Sequence, residues 1–247
     1  MKLNTTEVRS FMLGNLLGDG NLHNGAFITG QINEDLILFK KKIFDDYFGF
    51  SNSKITFVPA NEKNGIKRKD TWRLYISPNQ YFKKLEAECY QPKKIVTKKM
   101  LDDLTLIGLA IWFADDGTTI QVGHNKNTGS ARSRRVQICT DSFSLEEVTL
   151  IKDFFENKYG KTVIINRAQN SYRVQINNMD AQKFLIDISP YFINYFPSLL
   201  YKLDMGYRNF SLDTRRYVTE GYKNLFLKIS SHPAFIDRMK IKLDDIV

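Results

Sequence analysis

The sequence predicts a mixed α/β (α+β) fold that arises by internal duplication. Two apolar segments with helical spacing, 12–20 and 109–117, both end in Asp-Gly. Their aspartates, Asp19 and Asp116, are 97 residues apart (116 − 19 = 97). Further helical and alternating patterns follow each segment in the same order. Because this order occurs twice at a spacing of about a hundred residues, we expect two pseudo-equivalent subdomains.

The first subdomain is expected over residues 1–97. Asn4 and Glu7 form a capping-box pattern, and apolar residues at helical spacing follow them as far as Leu16. Apolar and polar residues alternate around Trp72, as they do in a half-buried strand. The elements expected after the first helix are three strands (22–32, 53–59 and 70–77), a helix (34–48) and a turn (61–70).

The second subdomain is expected over residues 98–204, followed by a helical extension over 205–247. Ser144 and Glu147 form a second capping-box pattern at the start of a helix. The other expected elements are helices at 105–114, 179–188, 213–229 and 233–245, and strands at 132–140, 161–166 and 171–177. The extension has no counterpart in the first half, and its pattern alone indicates no function.

Composition limits the classes of function. The 247 residues include 36 Lys and Arg against 27 Asp and Glu, and the net charge of +9 mildly favours a polyanionic partner. Two cysteines, Cys89 and Cys139, and three histidines are too few and too widely separated for a zinc ribbon or zinc finger. No apolar run approaches the about 18 residues of a membrane helix, and we expect no membrane partner. Residues 1–6 lead directly into a helical pattern, so we expect no signal or transit peptide.

The two Asp-Gly helices in one chain resemble the motifs of the LAGLIDADG homing endonucleases, in their monomeric two-motif form. The resemblance extends through 142–148 and 199–203, and it covers roughly residues 7–204. It implies two pseudo-symmetric αββαββα subdomains with saddle-shaped antiparallel sheets, in a monomer with internal pseudo-twofold symmetry. It also implies that the motif helices pack side by side through small residues, here Gly14, Gly18, Ala110 and Ala114.

The resemblance places catalytic, metal-binding carboxylates at Asp19 and Asp116, when the motifs are aligned on the glycines that follow them. Asp115 is the competing acid, but it comes one residue earlier and is expected to point away from the helix pair. Carboxylate and backbone carbonyl oxygens suit Mg²⁺, with Mn²⁺ as a substitute. Members of this family also have a lysine near each acid. The matching lysines are Lys202 in the second half and Lys94 or Lys93 in the first.

The polar faces of the strands are expected to bind double-stranded DNA. Alternation places every second side chain on the face away from the core, and the major groove admits a two-stranded β-ribbon. Arg suits guanine there, whereas Gln and Asn suit adenine. The expected DNA-binding residues are Thr29, Gln31, Lys54, Arg73 and Tyr75 on the first sheet, and Arg135, Gln137, Arg173, Gln175 and Asn177 on the second.

These features favour a site-specific double-strand DNA endonuclease that hydrolyses phosphodiester bonds across the minor groove with Mg²⁺. Its gene is expected in a mobile group I intron and the protein in a mitochondrion or chloroplast, with a bacterial cytoplasm as the alternative. A maturase that binds intron RNA is the main alternative function, and a transcription regulator on the same scaffold is a third. The presence of both Asp19 and Asp116 favours the nuclease, because RNA binding alone needs no paired carboxylates that repel phosphate.

Overall fold

The structure, a computed structural model, describes residues 2–49, 52–63, 66–124, 131–206 and 217–244. The chain divides into two compact units, Met1–Asp115 and Asp116–Val247. Each unit contains a four-stranded antiparallel sheet together with helices. The expected mixed α/β fold with antiparallel sheets is therefore confirmed.

The first unit is built from a motif helix, a four-stranded sheet and further helices. In chain order its elements are α1 Thr5–Leu17, β1 Asn21–His23, β2 Ala26–Gln31, α2 Glu34–Phe48, β3 Ser53–Val58, β4 Asn61–Lys63, β5 Ile66–Arg68, β6 Thr71–Ile76, α3 Gln80–Cys89, α4 Lys98–Asp102 and α5 Leu106–Asp116. The sheet has the strand order β1-β2-β6-β3. Strands β4 and β5 form a separate short hairpin, within residues that the sequence predicts as a turn. Helix α5 ends at Asp116, the first residue of the second unit.

The second unit repeats the four-stranded sheet with its helices and adds two more helices at its C-terminal end. Its elements are β7 Gly117–His124, β8 Ala131–Cys139, α6 Leu145–Tyr159, β9 Val163–Ala168, β10 Ser171–Asn177, α7 Asn178–Tyr195, the 3-10 helix Pro197–Leu203, α8 Glu220–Ser230 and α9 Pro233–Asp244. The sheet has the order β7-β8-β10-β9, so in both sheets the last main strand lies between the second and third, as duplication predicts. None of the helices in the described ranges is long and apolar enough to span a membrane.

Two helices begin at the capping boxes that the sequence predicts. Before α1, Asn4 Oδ1 accepts from Glu7 N at 3.0 Å, and Glu7 Oε2 accepts from Asn4 N at 3.0 Å. Before α6, Ser144 Oγ accepts from Glu147 N at 3.3 Å, and Glu147 Oε2 accepts from Ser144 N at 2.7 Å. Such bonds satisfy amides that have no partner within the helix, and they set the first residue of each helix.

The single strand expected over 22–32 is a hairpin. Asn24 and Gly25 have positive φ angles of 51° and 73°, and they connect β1 to β2 in a tight turn. Asn-Gly is a dipeptide that tolerates this conformation at both positions. The hairpin reverses the chain, so that Gln31 at the end of β2 returns to Asp19.

Elements of the second unit also differ from their predicted bounds. Strand β7 directly follows Asp116 and has no predicted counterpart. Helix α7 continues to Tyr195, beyond its expected end. In the extension, the helix expected over 213–229 begins at Glu220, and residues 213–216 of that prediction lie outside the described residues.

Each sheet packs one face against helices of its own unit. In the first unit, the ring centroid of Phe27 from β2 lies 4.8 Å from that of Phe44 from α2 and 6.3 Å from that of Phe82 from α3. In the second, Phe155 from α6 and Phe184 from α7 make an edge-to-face contact at 5.7 Å. All five rings are buried, and they place an aromatic cluster at the centre of each core.

The compact units do not divide at the expected subdomain boundary, residue 97. Helix α5 as far as Asp115 belongs to the first unit, because it packs against α1. At the start of this contact, Ser10 Oγ accepts from Thr105 N at 2.7 Å. The repeat predicted from the sequence and the division observed in the structure therefore differ by the segment 98–115.

Candidate active site

Helices α1 and α5 pack backbone against backbone within the first unit. A Cβ atom on Gly14 would lie 2.1 Å from the Gly108 carbonyl oxygen, and one on Gly108 would lie 2.4 Å from the Ser10 carbonyl oxygen. Neither position therefore has room for a side chain. The motif helices are in contact through small residues, as expected, but the glycine of α5 at this contact is Gly108. Ala110 and Ala114, the expected contact residues, are buried in the same helix.

The turn after α1 holds Asp19 at the surface. Gly20 N donates to Asn15 O at 2.7 Å, which folds the chain tightly beneath the helix end. A Cβ atom on Gly20 would lie 2.6 Å from that oxygen and 2.8 Å from the Phe27 ring. Gly18 and Gly20 are buried, whereas Asp19 is exposed. Of these three residues, only the carboxylate residue is open to solvent.

Gln31 joins Asp19 to Asp115. Its Nε2 donates to Asp19 Oδ2 at 2.7 Å and to Asp115 Oδ1 at 2.9 Å. In addition, the main-chain nitrogen of Asp19 donates to Asp115 Oδ2 at 3.2 Å. Hydrogen bonds to ionised groups are short and strong, so these contacts fix Asp19 relative to the end of α5.

Asp115 forms a buried ion pair with Lys40 of α2. Lys40 Nζ lies 2.8 Å from Asp115 Oδ1 and 2.9 Å from Oδ2, and both side chains are 0% exposed. Burial raises the pKa of Asp115, the Lys40 cation opposes this shift, and the negative charge of Asp19 adds to it. A Cβ atom on Gly18 would lie 2.6 Å from Asp115 Cβ. The expectation that Asp115 points away from the helix pair is therefore wrong, because its partners lie on the side of α1.

Lys94 lies beside Asp19 and binds its neighbouring peptide groups. Lys94 Nζ donates to Gly20 O at 3.0 Å and to Gly18 O at 3.3 Å, the two carbonyl oxygens that flank Asp19. Lys93, the other candidate, has an exposed side chain. Of the two lysines, Lys94 is the one that this structure brings to the acid.

In the second unit, Asp116 and Lys202 both lie near the Cys139 thiol. Asp116 is the last residue of α5, Lys202 is in the 3-10 helix, and both are partly exposed. Burial raises the pKa of the thiol; among the neighbouring charges, Arg173 and Lys202 lower it and Asp116 raises it. The last residue of α5 and a lysine of the 3-10 helix thus both act electrostatically on the same side chain of β8.

The outer face of the first sheet carries three of the expected DNA-binding residues. Lys54, Arg73 and Tyr75 are exposed. Lys54 of β3 pairs directly with Tyr75 of β6, and Arg73 pairs with Thr56. Residues that are paired directly across antiparallel strands share a face. These side chains therefore form one polar surface of the sheet.

The expectation that Thr29 and Gln31 belong to this surface is wrong. They are 2% and 8% exposed, and they alternate in β2 with Ile28, which is 41% exposed. Thr29 pairs with Leu74, which is buried on the core face. The polarity pattern misleads at Gln31 because the carboxylates at the ends of the motif helices, rather than solvent, satisfy this side chain.

The residues expected on the second sheet share the face opposite its aliphatic core. They are Arg135, Gln137, Arg173, Gln175 and Asn177. Gln175 Nε2 donates to Gln137 Oε1 at 2.9 Å, and Arg135 Nη1 donates to Gln175 Oε1 at 3.0 Å. Arg173 donates twice to Asp141, at 2.9 Å and 2.8 Å. The two glutamines are buried, so this row of polar groups is held in place by its own hydrogen bonds.

The oxygen ligands at Asp19 fit a metal ion that is shared with a substrate. In the part of the chain that the structure describes, no three His, Cys, Asp or Glu side chains cluster as a metal site on their own. The exposed Asp19 carboxylate is a hard oxygen donor, of the class that Mg²⁺ binds. Mg²⁺ usually keeps several waters and shares phosphate oxygens of the substrate, so one or two protein carboxylates suffice.

Lys40 is the residue of this site that the sequence candidates omit. It lies on the buried stripe of α2 with Leu36, Ile37 and Phe44. A lysine at a core position requires a buried partner charge, so the place of Lys40 in the apolar pattern indicates a buried ion pair. The partner, Asp115, is 75 residues away in the sequence, and no local pattern connects the two.

The sequence model of the LAGLIDADG DNA endonuclease family matches residues 9–184. The chain belongs to this family. The matched range covers more than half of the chain and includes both Asp-Gly motifs and both sheets. Lys202 and the two helices of the extension lie beyond the range that this LAGLIDADG model matches.

Relatives of this LAGLIDADG chain match most of its length at low identity. Probable intron-encoded endonuclease 1 from Wickerhamomyces canadensis is 27% identical over 203 residues, which are 78% of this chain and 81% of the relative. Protein RecA from Mycolicibacterium flavescens is 24% identical over 214 residues, 84% of this chain and 48% of the relative. Cytochrome b mRNA maturase bI2 from Debaryomyces hansenii is 23% identical over 209 residues, 80% of this chain and 73% of the relative. The chain spans about half the length of the RecA relatives that it matches.

A solved structure with a similar fold is the homing endonuclease I-WcaI bound to its DNA recognition sequence. The match has a TM-score of 0.67 at 24% sequence identity, and it covers 83% of this chain and 88% of I-WcaI. At this identity the likeness establishes the fold. The fold class that the sequence predicts is confirmed by this match.

Proposed function

We propose that this protein is a site-specific double-strand DNA homing endonuclease that depends on Mg²⁺ and cuts across the minor groove. The observation that carries the proposal is the arrangement at Asp19, an exposed carboxylate at the end of a motif helix. Gln31 binds this carboxylate, and Lys94 binds the carbonyl groups on both sides of it. At one surface turn, a carboxylate can hold a metal ion and a lysine can stabilise negative charge on a phosphate.

Asp19 and Asp116 hold the metal ions in this proposal, and each acid serves one DNA strand. A bound Mg²⁺ supplies Lewis-acid activation of the scissile phosphate and of the attacking water. Lys94 and Lys202 are the neighbouring cations, and they stabilise the negative charge that develops on the phosphate. One chain that carries both acids needs no second copy to cut both strands.

The Lys40–Asp115 ion pair keeps a second negative charge from repelling the DNA next to Asp19. Gln31 brings the two carboxylates close together, and like charges at such distances disfavour an approaching phosphate. Lys40 offsets the charge of Asp115 in a site that is closed to solvent. We therefore assign Asp115 to holding the end of α5, and not to binding metal.

The proposed partner is a double-stranded DNA target, which the outer faces of the sheets contact. Lys54, Arg73 and Tyr75 are the contacts assigned to the first sheet. On the polar face of the second sheet, the partly exposed Arg135, Arg173 and Asn177 are assigned to the other half of the target. The buried Gln137 and Gln175 of the same face hold Arg135 in place and are not assigned as contacts. Lysine and arginine bind phosphates and arginine also reads guanine, so this surface supplies both affinity and specificity.

The gene is proposed to lie in a mobile group I intron of an organelle, which the similarity to a probable intron-encoded endonuclease supports. A maturase that binds intron RNA is the second candidate, because the relatives include a cytochrome b mRNA maturase. The exposed Asp19 favours the nuclease, since a carboxylate facing a phosphate backbone weakens simple RNA binding.

Digestion of a plasmid that carries the uninterrupted insertion site tests this proposal. We expect the parent protein to linearise the plasmid with Mg²⁺ or Mn²⁺. Asp19→Asn and Asp116→Asn should each cut one strand only, and the double variant should cut neither. Asp102→Asn is the matched control, because the Asp102 side chain is 56% exposed and pairs with Lys98 on the same helix. It should cut like the parent.

Three results would contradict parts of this proposal. Hydrolysis that persists in the double variant would overturn the assigned acids. A parent protein that leaves the plasmid intact but binds its intron RNA tightly would favour the maturase. With Ca²⁺ in place of Mg²⁺, DNA binding should weaken as salt rises, because lysine and arginine displace counterions from the phosphates. A flat salt response would contradict the basic surface.

A further inference from the structure

The C-terminal extension packs onto the segment that carries Lys202. Tyr222 of α8 is fully buried, and its hydroxyl donates to Leu203 O at 2.9 Å and accepts from Met205 N at 2.7 Å. Burial raises the pKa of Tyr222, so this hydroxyl keeps the proton that it donates. Because one hydroxyl both donates and accepts, it fixes two peptide groups just after the lysine.

Helix α9 contacts the residue just before the lysine. The Arg238 guanidinium lies over the Tyr201 ring, 3.6 Å from its centroid. This is a stacked cation–π contact, which favours arginine over lysine because the guanidinium is planar. The two helices of the extension thus hold the chain on both sides of Lys202.

The same segment is also tied to the strand that begins after Asp116. Thr119 of β7 donates through Oγ1 to Asp204 O at 2.9 Å. Asp204 lies between the two residues that the tyrosine hydroxyl binds. The strand that follows Asp116, the end of the 3-10 helix that carries Lys202, and α8 therefore meet at residues 203–205. A shift of α8 would move this segment, and Lys202 with it.

We propose that α8 and α9 position Lys202 beside Asp116, so that the C-terminal extension is a required part of the second unit's catalytic site. This inference rests on the proposed nuclease function. Tyr222 and Arg238 are positioning residues, since each acts on DNA only through the chain next to Lys202. The extension thus has a positioning role, which its sequence pattern alone does not indicate.

The first unit holds its lysine without an extension. Tyr90 pairs with Lys94 through an antiparallel bridge. The Tyr90 hydroxyl accepts from Leu22 N at 3.0 Å and donates to Asn21 Oδ1 at 2.6 Å, just after Asp19. In each unit, a tyrosine hydroxyl thus fixes the main chain near a site residue, which is Asp19 in the first unit and Lys202 in the second. In the second unit the lysine stands at the end of the repeat, so the tyrosine comes from the helix that follows.

The experiment uses the full chain and a duplex target whose two strands carry different end labels. Single-turnover cleavage of each strand is measured for the parent, Tyr222→Phe and Arg238→Leu, and Asp116→Asn identifies the strand that depends on the second unit. We expect both variants to slow cleavage of that strand by up to about tenfold, which is the effect of losing one positioning contact. Nicked product should therefore accumulate. Cleavage of the other strand and DNA binding with Ca²⁺ should stay unchanged.

Leu227→Ala is the matched control on α8, because its side chain is 65% exposed, and it should cut both strands like the parent. Thermal unfolding of each variant shows that it is folded, and Arg238→Leu, at a partly exposed site, keeps the test valid if Tyr222→Phe is unstable. Equal slowing of both strands, or no slowing in a folded variant, would overturn the inference alone. A parent protein that cuts neither strand would overturn the proposed function, and this inference with it.

Discussion

Lys40 and Asp115 form an ion pair in which neither side chain is exposed to solvent. Lys40 comes from α2 and Asp115 from the last turn of α5, and Gln31 at the end of β2 binds the same carboxylate. A helix beside the sheet, a strand of the sheet and a motif helix therefore meet through charged and polar side chains. The position of Asp19 depends on all three elements. Gln31 and the Asp115 carboxylate bind Asp19 directly, and Lys40 binds that carboxylate.

Lys40→Met should destabilise the protein by about 3–5 kcal/mol, because it leaves the Asp115 carboxylate buried without its cation. The free energy of unfolding in denaturant measures this cost. Lys42→Met is the matched control on the same helix, where the lysine is 59% exposed and pairs with Asp46. Its cost should stay within about 0.5 kcal/mol. Adding Asp115→Leu to Lys40→Met should restore part of the stability, and equal costs for the two single variants would contradict the buried pair.

Gln31→Met should slow DNA cleavage and leave base preference unchanged, because Gln31 binds the two carboxylates and lies on the inner face of β2. Arg73→Ala is the contrasting variant. Arg73 is exposed on the outer face, so its loss should relax the preference at one target position by about 1–3 kcal/mol. Cleavage of a library of single-base target variants measures both effects. An altered base preference in Gln31→Met would show that this side chain reads DNA.

Gly14→Ala should force α1 and α5 apart, since its Cβ atom would lie 2.1 Å from a backbone oxygen of Gly108. We expect a loss of about 1–3 kcal/mol or more, because backbone atoms cannot move aside as a side chain can. Gly30→Ala is the control, with its nearest contact at 3.4 Å, and it should unfold like the parent. Thermal unfolding compares the two, and equal midpoints would mean that the helices are not in close contact.

Tyr90→Phe should slow cleavage of the DNA strand that depends on Asp19 and leave cleavage of the other strand unchanged. The variant removes the hydroxyl that binds Leu22 N and Asn21 Oδ1 but keeps the bridge to Lys94. The strand-labelled duplex measures both rates in one reaction. If Tyr90→Phe slowed the strand assigned to Asp116, the division of the two strands between the units would be wrong.

The contribution of Asp141 to stability should depend on pH. Arg173 holds the pKa of Asp141 below its usual value through its side-chain hydrogen bonds. A carboxylate whose pKa is lower in the folded state adds stability above its unfolded pKa and loses it as the pH falls through its folded pKa. The parent should therefore be more stable than Asp141→Asn at neutral pH, and the difference should shrink below about pH 4. Denaturation at several pH values measures it, and a constant difference would contradict the ion pair.

Structure that depends on neighbours in the sequence was predictable. The capping boxes at Asn4 and Ser144 join residues three positions apart, and both form as expected. The inner face of β2 and the role of Lys40 were not predictable. Gln31 and Lys40 meet Asp115 across 84 and 75 residues of sequence, and only folding brings these residues together. A polar residue in an alternating strand ordinarily faces solvent, and a distant carboxylate reverses this at Gln31.

Strand β2 carries two kinds of residue on opposite faces. Gln31, on the inner face, holds the carboxylates, whereas Ile28 and Gly30 on the outer face pair with Tyr75 and Arg73. Residues on the outer face of β2 can therefore be substituted without disturbing Asp19. In the proposed nuclease, substitutions at the outward positions of its strands would change the DNA sequence that is recognised, while the positions between them would keep the acid in place.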